Sequence, residues 1–87
     1  MGETRRARLV RCSRNKLNGG TSEIWDIGNG AGVYVDFSPM IQETMAFPVD
    51  LNKNEVTSWR GIGVWHDEDA TGGKAIRELG YEIEEGK

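Results

Sequence analysis

The sequence predicts an α+β fold: a small, mostly antiparallel sheet of five or six short strands with one C-terminal helix, in a single domain over residues 1–87. Three observations predict it. Apolar and polar residues alternate through most of the chain, which is the strand period. Clusters of Gly, Asn and Asp interrupt that alternation at short intervals and leave connections too short for parallel crossovers. The period then changes in DATGGKAIRELG, where Ala75 and Ile76 stand four and three residues before Leu79, the spacing of one helix face.

The elements follow in order. RARLVRCS reads as the first strand and NKLNGGT, dense in Asn and Gly, as a turn. SEIWDI is a second strand with Trp25 and Ile27 on one face. GVYVDFS is the third and clearest: Val33, Val35 and Phe37 point one way, Tyr34 and Asp36 the other. Pro39 ends it, because proline cannot donate to a ladder. IQETMAFPV reads as a fourth strand, with Ile41, Met45, Phe47 and Val49 on a face that also carries Glu43, a position that does not suit a core. DLNKNE is a turn and VTSWRGIGVW a fifth strand. The helix is expected from Thr71, capped by Asp67 or Asp69, with Gly80 as a left-handed stop after which Tyr81 packs back on Ile76. YEIEE has the pattern of a short last strand.

IWDIGNGAGVYVDFS holds glycines at 28, 30 and 32. A phosphate-binding loop needs backbone N–H groups at the start of a helix, and here the β-branched and aromatic run VYVDF follows instead. The spacing also lacks both the G-x-G-x-x-G pattern and a following Lys-Ser or Lys-Thr. A hairpin with Asn29 and Gly30 in the left-handed region accounts for every residue.

Composition limits function. With 87 residues, 37% of them hydrophobic and 29% charged, the chain is an ordinary globular domain with room for one core. It contains no apolar run long enough to span a membrane and no signal-like segment after its charged N-terminus. Cys12 is the only cysteine, so no disulfide forms within the chain and a reducing, cytoplasmic setting is expected. Charge is asymmetric despite a net of −3. Residues 1–16 carry Arg5, Arg6, Arg8, Arg11, Arg14 and Lys16 against Glu3, a balance of +5. Residues 67–87 carry seven acidic groups, from Asp67 to Glu85, against Lys74, Arg77 and Lys87, a balance of −4. Neutralisation across neighbouring strands is the expected use of the two ends.

No catalytic or metal site is expected. His66 stands beside three consecutive carboxylates, but a lone His with no nearby Cys does not make a zinc site, and consecutive acids lack the spacing of a calcium loop. Cys12 and His66 are the only nucleophile and base of note, and Cys12 reads as a small core residue. The domain is therefore expected to be non-enzymatic and to fold without cofactor or metal.

Two binding candidates remain. In WRGIGVW, a continuous strand places Trp59, Gly61, Gly63 and Trp65 on one face, so two aromatics bracket an open floor. With Arg60 they form a candidate partner surface, the other reading being aromatic covering of strand glycines in the core; Trp59 is expected buried and Trp65 exposed. The alternative is a nucleic-acid accessory role in which Arg5, Arg6, Arg8, Arg11 and Arg14 contact phosphates. That segment lacks aromatics for base stacking, and the isoelectric point near 5.1 disfavours general nucleic-acid binding. Open strand edges make a homodimer one expectation and a monomer the other.

ETMAFPVDLNKNEVTSW, followed by the acidic DEDATGGKAIREL, resembles a pattern in small uncharacterised proteins of bacteriophages and mobile elements. Glu43, Thr44, Met45, Phe47, Val56 and Trp59 match in place over residues 43–79. The Gly-His pair that the family's helix often carries is missing here, Gly72-Gly73 being its nearest trace. The resemblance implies a phage-type origin and a module that binds or inhibits a host protein.

Overall fold

The computed structural model describes residues 5–84. Glu3, Glu85 and Lys87, counted in the charge balance above, lie outside the described residues. Four strands form an antiparallel meander: β1 (Arg6–Arg14), β2 (Thr21–Gly28), β3 (Ala31–Ser38) and β4 (Glu43–Asp50). Short segments complete both edges. β5 (Glu55–Val56) pairs with the C-terminal end of β4, and β6 (Gly63–His66) with its N-terminal half. After the helix α1 (Lys74–Glu78), β7 (Glu82–Ile83) runs parallel to the start of β1.

The sheet is therefore mixed and has seven strands among the described residues, which corrects the expected five or six. Two causes account for the difference. The run from Val56 to Trp65 is not one strand: it bends through 57–62, where Gly61 sits at φ +61°, and splits into β5 and β6. The last strand is parallel because the chain crosses from β6 to β7 through a helix, and such a crossover preserves direction.

The hairpin between β2 and β3 turns on Asn29 (φ 59°) and Gly30 (φ 79°), as the asparagine–glycine signal predicts. Helix α1 begins later than expected. Gly72 and Gly73 hold φ +75° and +98°, which is not helical, so the first helical residue is Lys74. The expected caps are corrected too: the helix has no side-chain cap, and Asp69 instead accepts from the Thr71 backbone N–H at 3.0 Å in a tight turn. The C-terminal end matches expectation. Gly80 (φ +100°) stops the helix, its N–H donating to Arg77 O at 3.0 Å and that of Tyr81 to Ile76 O at 3.2 Å.

Alternation gives the sheet two faces. On the covered face, Trp25 is paired with Val33, and Val35 with Ala46. Ala7 of β1 joins them in the sheet, and Ala70, Ala75 and Ile76 close over them to make the core. β4 was expected to bury Met45, Phe47 and Val49; Phe47 and Val49 are buried and Met45 only half-buried, but the face β4 turns toward the helix is that of Thr44 and Ala46, both fully buried. Ile41 precedes the strand, in an exposed turn. Met45, Phe47 and Val49 share the opposite face with Glu43, and Glu43 meets its cross-strand neighbour His66 there, Oε2 to Nδ1 at 2.9 Å. Cys12, expected in the core, is exposed. It stands five residues beyond buried Ala7, about 16 Å along the strand, whereas a five-residue helix is only about 7.5 Å long.

Two buried polar side chains hold the crossover on the sheet. Thr44 Oγ1 donates to the Glu68 carbonyl at 2.9 Å and accepts from the Ala70 N–H at 3.0 Å. Glu23 accepts from Trp25 Nε1 at 3.0 Å and from the Gly72 N–H at 2.7 Å. Removing a partner from a buried polar group costs about 1–3 kcal/mol. Thr44→Val keeps the shape and deletes both bonds, so it is expected to lower unfolding free energy by about that amount, while Thr44→Ser stays near the parent. Urea midpoints at unchanged slope check this.

Candidate interaction surface

The face of the sheet away from α1 carries no helix among the described residues. Register lines up one row across it: Arg11 opposite Ile24, Ile24 opposite Tyr34, Tyr34 opposite Phe47. Tyr34 and Phe47 are stacked with ring centroids 6.1 Å apart. Trp59 then sits edge-on against Phe47 at 5.2 Å. Phe47 is buried beneath it, while Trp59 itself is 71% exposed. Ile24, Tyr34, Val49, Val56 and Trp59 line a shallow depression of about 190 Å³. An indole held edge-on by a packed ring, with most of its surface in water, is the kind of side chain that anchors an interface.

The five residues WRGIGVW contributes do not share a face. Trp59, Arg60 and Gly61 belong to the bend, and Gly63 and Trp65 to β6. Trp65 lies opposite Thr44 on the covered face, half-buried against the core, with its Nε1 donating to Glu78 Oε1 at 2.6 Å. Its ring fills the floor above Gly63, where a Cβ would come within 2.6 Å of it. The two tryptophans thus stand on opposite faces, and their burial is the reverse of the expectation. The reason is the bend: with Gly61 in the left-handed region, the alternation that linked Trp59 to Trp65 does not run through it.

The arginines distribute along one edge. Arg5 lies over the Tyr81 ring, 5.9 Å from its centroid. Arg6 is in register with Glu82 of β7, but the ion pair of β1 is Arg8 with Asp26 of β2 at 3.3 Å, and among the described residues no ion pair joins the basic and acidic ends. Arg11 heads the aromatic row and Arg14 closes β1 opposite Thr21. Sequence reasoning found Trp59 and Arg11 as separate candidates but missed Tyr34 and Phe47, and it missed that one face unites them. The period-2 pattern of β3 and β4 carried that signal.

Electrostatics on this face are mixed. Asp26, Asp36 and Glu43 share it with the arginines. Partial burial raises the Tyr34 phenol above its ordinary value of 10.0, and the neighbouring Asp36 carboxylate, 3.4 Å from the hydroxyl, adds to the rise. Elsewhere, hydrogen bonding to Glu68 raises the exposed Lys74 ammonium.

Among the described residues, no three His, Cys, Asp or Glu side chains converge to hold a metal ion. Cys12 on β1 and His66 on β6 are separated by β2, β3 and β4, about 19 Å of sheet, so the structure does not bring this nucleophile and base together. No helix among the described residues is long and apolar enough to cross a membrane. No family model, curated protein or solved structure matches the chain.

Two predictions follow from these placements. Trp59→Ala is expected to cost less than about 1 kcal/mol of stability because its side chain is largely solvated. Trp65→Ala removes the packing over Gly63 and the bond to Glu78 and is expected to cost about 2–4 kcal/mol. Comparison of the two denaturation midpoints decides, and equal losses contradict the assignment of faces. For Tyr34, the folded state favours the protonated phenol. Stability is therefore full below pH 10.0 and falls as pH rises through the elevated folded value. Tyr34→Phe is expected to remove that part of the alkaline loss in melting temperatures followed from neutral to high pH.

Proposed function

We propose that this protein is a non-enzymatic binding or inhibitory module that docks a host protein on its open sheet face. A phage or mobile-element origin accords with the resemblance of residues 43–79. The observation that carries the reading is Trp59, exposed yet seated on Phe47, which is stacked in turn on Tyr34. A pre-positioned indole loses little side-chain entropy on docking, and aromatic anchors of this kind dominate interface energetics. The polar groups around it, Asp36 and Arg60 among them, supply the rim that such an interface needs.

A second reading has one observation in its favour. Register puts Arg11 in the same row as Ile24, Tyr34 and Phe47, so a basic group and aromatic rings share a face as they do in single-strand nucleic-acid binders. Against it, Asp26, Asp36 and Glu43 on that face repel phosphates. The protein reading is therefore preferred.

A photo-crosslinking residue at position 59, introduced in a cell that carries the protein, is expected to trap a protein, whereas the same residue at exposed Arg77 on α1, on the other side of the sheet, is not. With that protein in hand, Trp59→Ala is expected to weaken binding by about 30-fold, the loss typical of an anchor residue, with the fold retained. Trapping of nucleic acid instead, with affinity falling steeply as salt rises, transfers the assignment to the second reading.

A further inference from the structure

β1 presents the longest open strand edge among the described residues. It has nine residues, and β7 pairs with only Arg6 and Ala7 of them. From Leu9 to Arg14, no strand lies on the outer side. The other outer strands, β5, β6 and β7, have two, four and two residues. An open edge is a row of backbone donors and acceptors, which an extended peptide satisfies by adding itself as a strand; on β1 the register shift between Leu9 and Arg11 is the one irregularity in that row, and the added strand has to follow it.

The side chains around this edge specify what it accepts. Leu9 and Val10 are 44% and 54% exposed, aliphatic surface that an added strand covers. Arg6, Arg8, Arg11 and Arg14 are the charged residues of β1, which carries no acidic side chain. Arg8 is paired with Asp26, whereas Arg11 and Arg14 have no ion-pair partner among the described residues. The occupied part of the edge already shows the complement. There the chain supplies Glu82, Ile83 and Glu84, an acidic–aliphatic alternation. The Glu82 N–H donates to the Arg5 carbonyl at 2.8 Å, the Glu84 N–H to that of Ala7 at 2.7 Å. A second copy of β1 in this position sets arginine against arginine, which is unfavourable across a strand pair. A nucleic acid meets the arginines but leaves the backbone ladder unmade.

We propose that the edge from Leu9 to Arg14 takes an extended acidic segment of a partner protein as an added strand, continuing the ladder that β7 begins. The surface is separate from Trp59, and the assignment stands whether or not the aromatic face docks a partner.

The test is a titration of the full chain, followed by backbone amide NMR and hydrogen exchange. The probe is a peptide of about eight residues alternating glutamate and isoleucine. The control is the same peptide N-methylated at every second residue, which keeps charge and side chains but removes ladder donors. The unmodified peptide is expected to shift and protect the amides from Leu9 to Arg14, and the methylated one to bind at least about tenfold more weakly. The double variant Arg11→Glu, Arg14→Glu, which touches no core residue, is expected to melt with the parent and to lose about tenfold or more in affinity. Trp59→Ala is expected to bind the probe unchanged, so failure of the aromatic-face reading is read separately from failure of this one. The proposal is overturned if the peptide does not bind, if both peptides bind equally, or if Trp59→Ala loses the probe. It is likewise overturned if single-stranded oligothymidine competes at the same amides with higher affinity, or if those amides become protected with protein concentration alone.

Discussion

Two buried polar side chains, Glu23 and Thr44, hold the fold together. Both project from the sheet into the core, and both bond to the backbone of the crossover at 68–72. Within that segment Ala70 is buried; its carbonyl accepts from the Ala75 N–H of the helix, but its N–H has no strand or helix acceptor, and without the threonine hydroxyl it would be buried unsatisfied, at a cost of about 1–3 kcal/mol. With these bonds made, every buried side-chain polar atom among the described residues has a partner. The helix is a consequence. Five residues cannot form a stable helix alone, so α1 exists because its two ends are fixed. The crossover anchors one end, and the Gly80 stop followed by β7 anchors the other.

From that anchoring follows the asymmetry of the sheet. One face is closed by Ala70, Ala75 and Ile76, small enough to bring the crossover close to Trp25 and Val35. The other keeps its aromatic row and is covered only at the β4 edge, where the bend carrying Trp59 folds onto Phe47. A small chain has surface to spare and core to ration, and the one helix among the described residues lies on one face. The exposed features, the indole and the basic strand edge, lie where that helix does not reach.

Charge follows the same geometry. The basic and acidic ends of the chain meet where β7 joins β1, placing Glu82 beside Arg6. The join is only two residues long; the ion pair of β1 is Arg8 with Asp26 of β2, and Arg11 and Arg14 have no acidic partners among the described residues. Partial neutralisation makes the charge of the domain local: acidic in net, basic along one edge.

Local chemistry determined the four long strands, their alternation, the asparagine–glycine hairpin and the glycine stop of the helix, because each depends on residues within a few positions of one another. Val33 and Val35 inward with Tyr34 outward follows from period 2, and Gly80 from the φ its site requires. The mixed sheet, the covering of one face and the separation of Trp59 from Trp65 were decided by tertiary structure. Gly61 and Gly63 permit a strand or a bend equally, and the choice came from pairing: β4 offers Glu43–Ala46 to β6 and Val49–Asp50 to β5, so the chain between them has to leave the ladder. Glu43 was unaccountable in sequence because His66, its partner, is 23 residues away and adjacent only through the β4–β6 register. Burial of Thr44 and Glu23 was hidden for the same reason. Their partners are backbone groups of a distant crossover, and no side-chain pattern announces where a backbone N–H will need an acceptor.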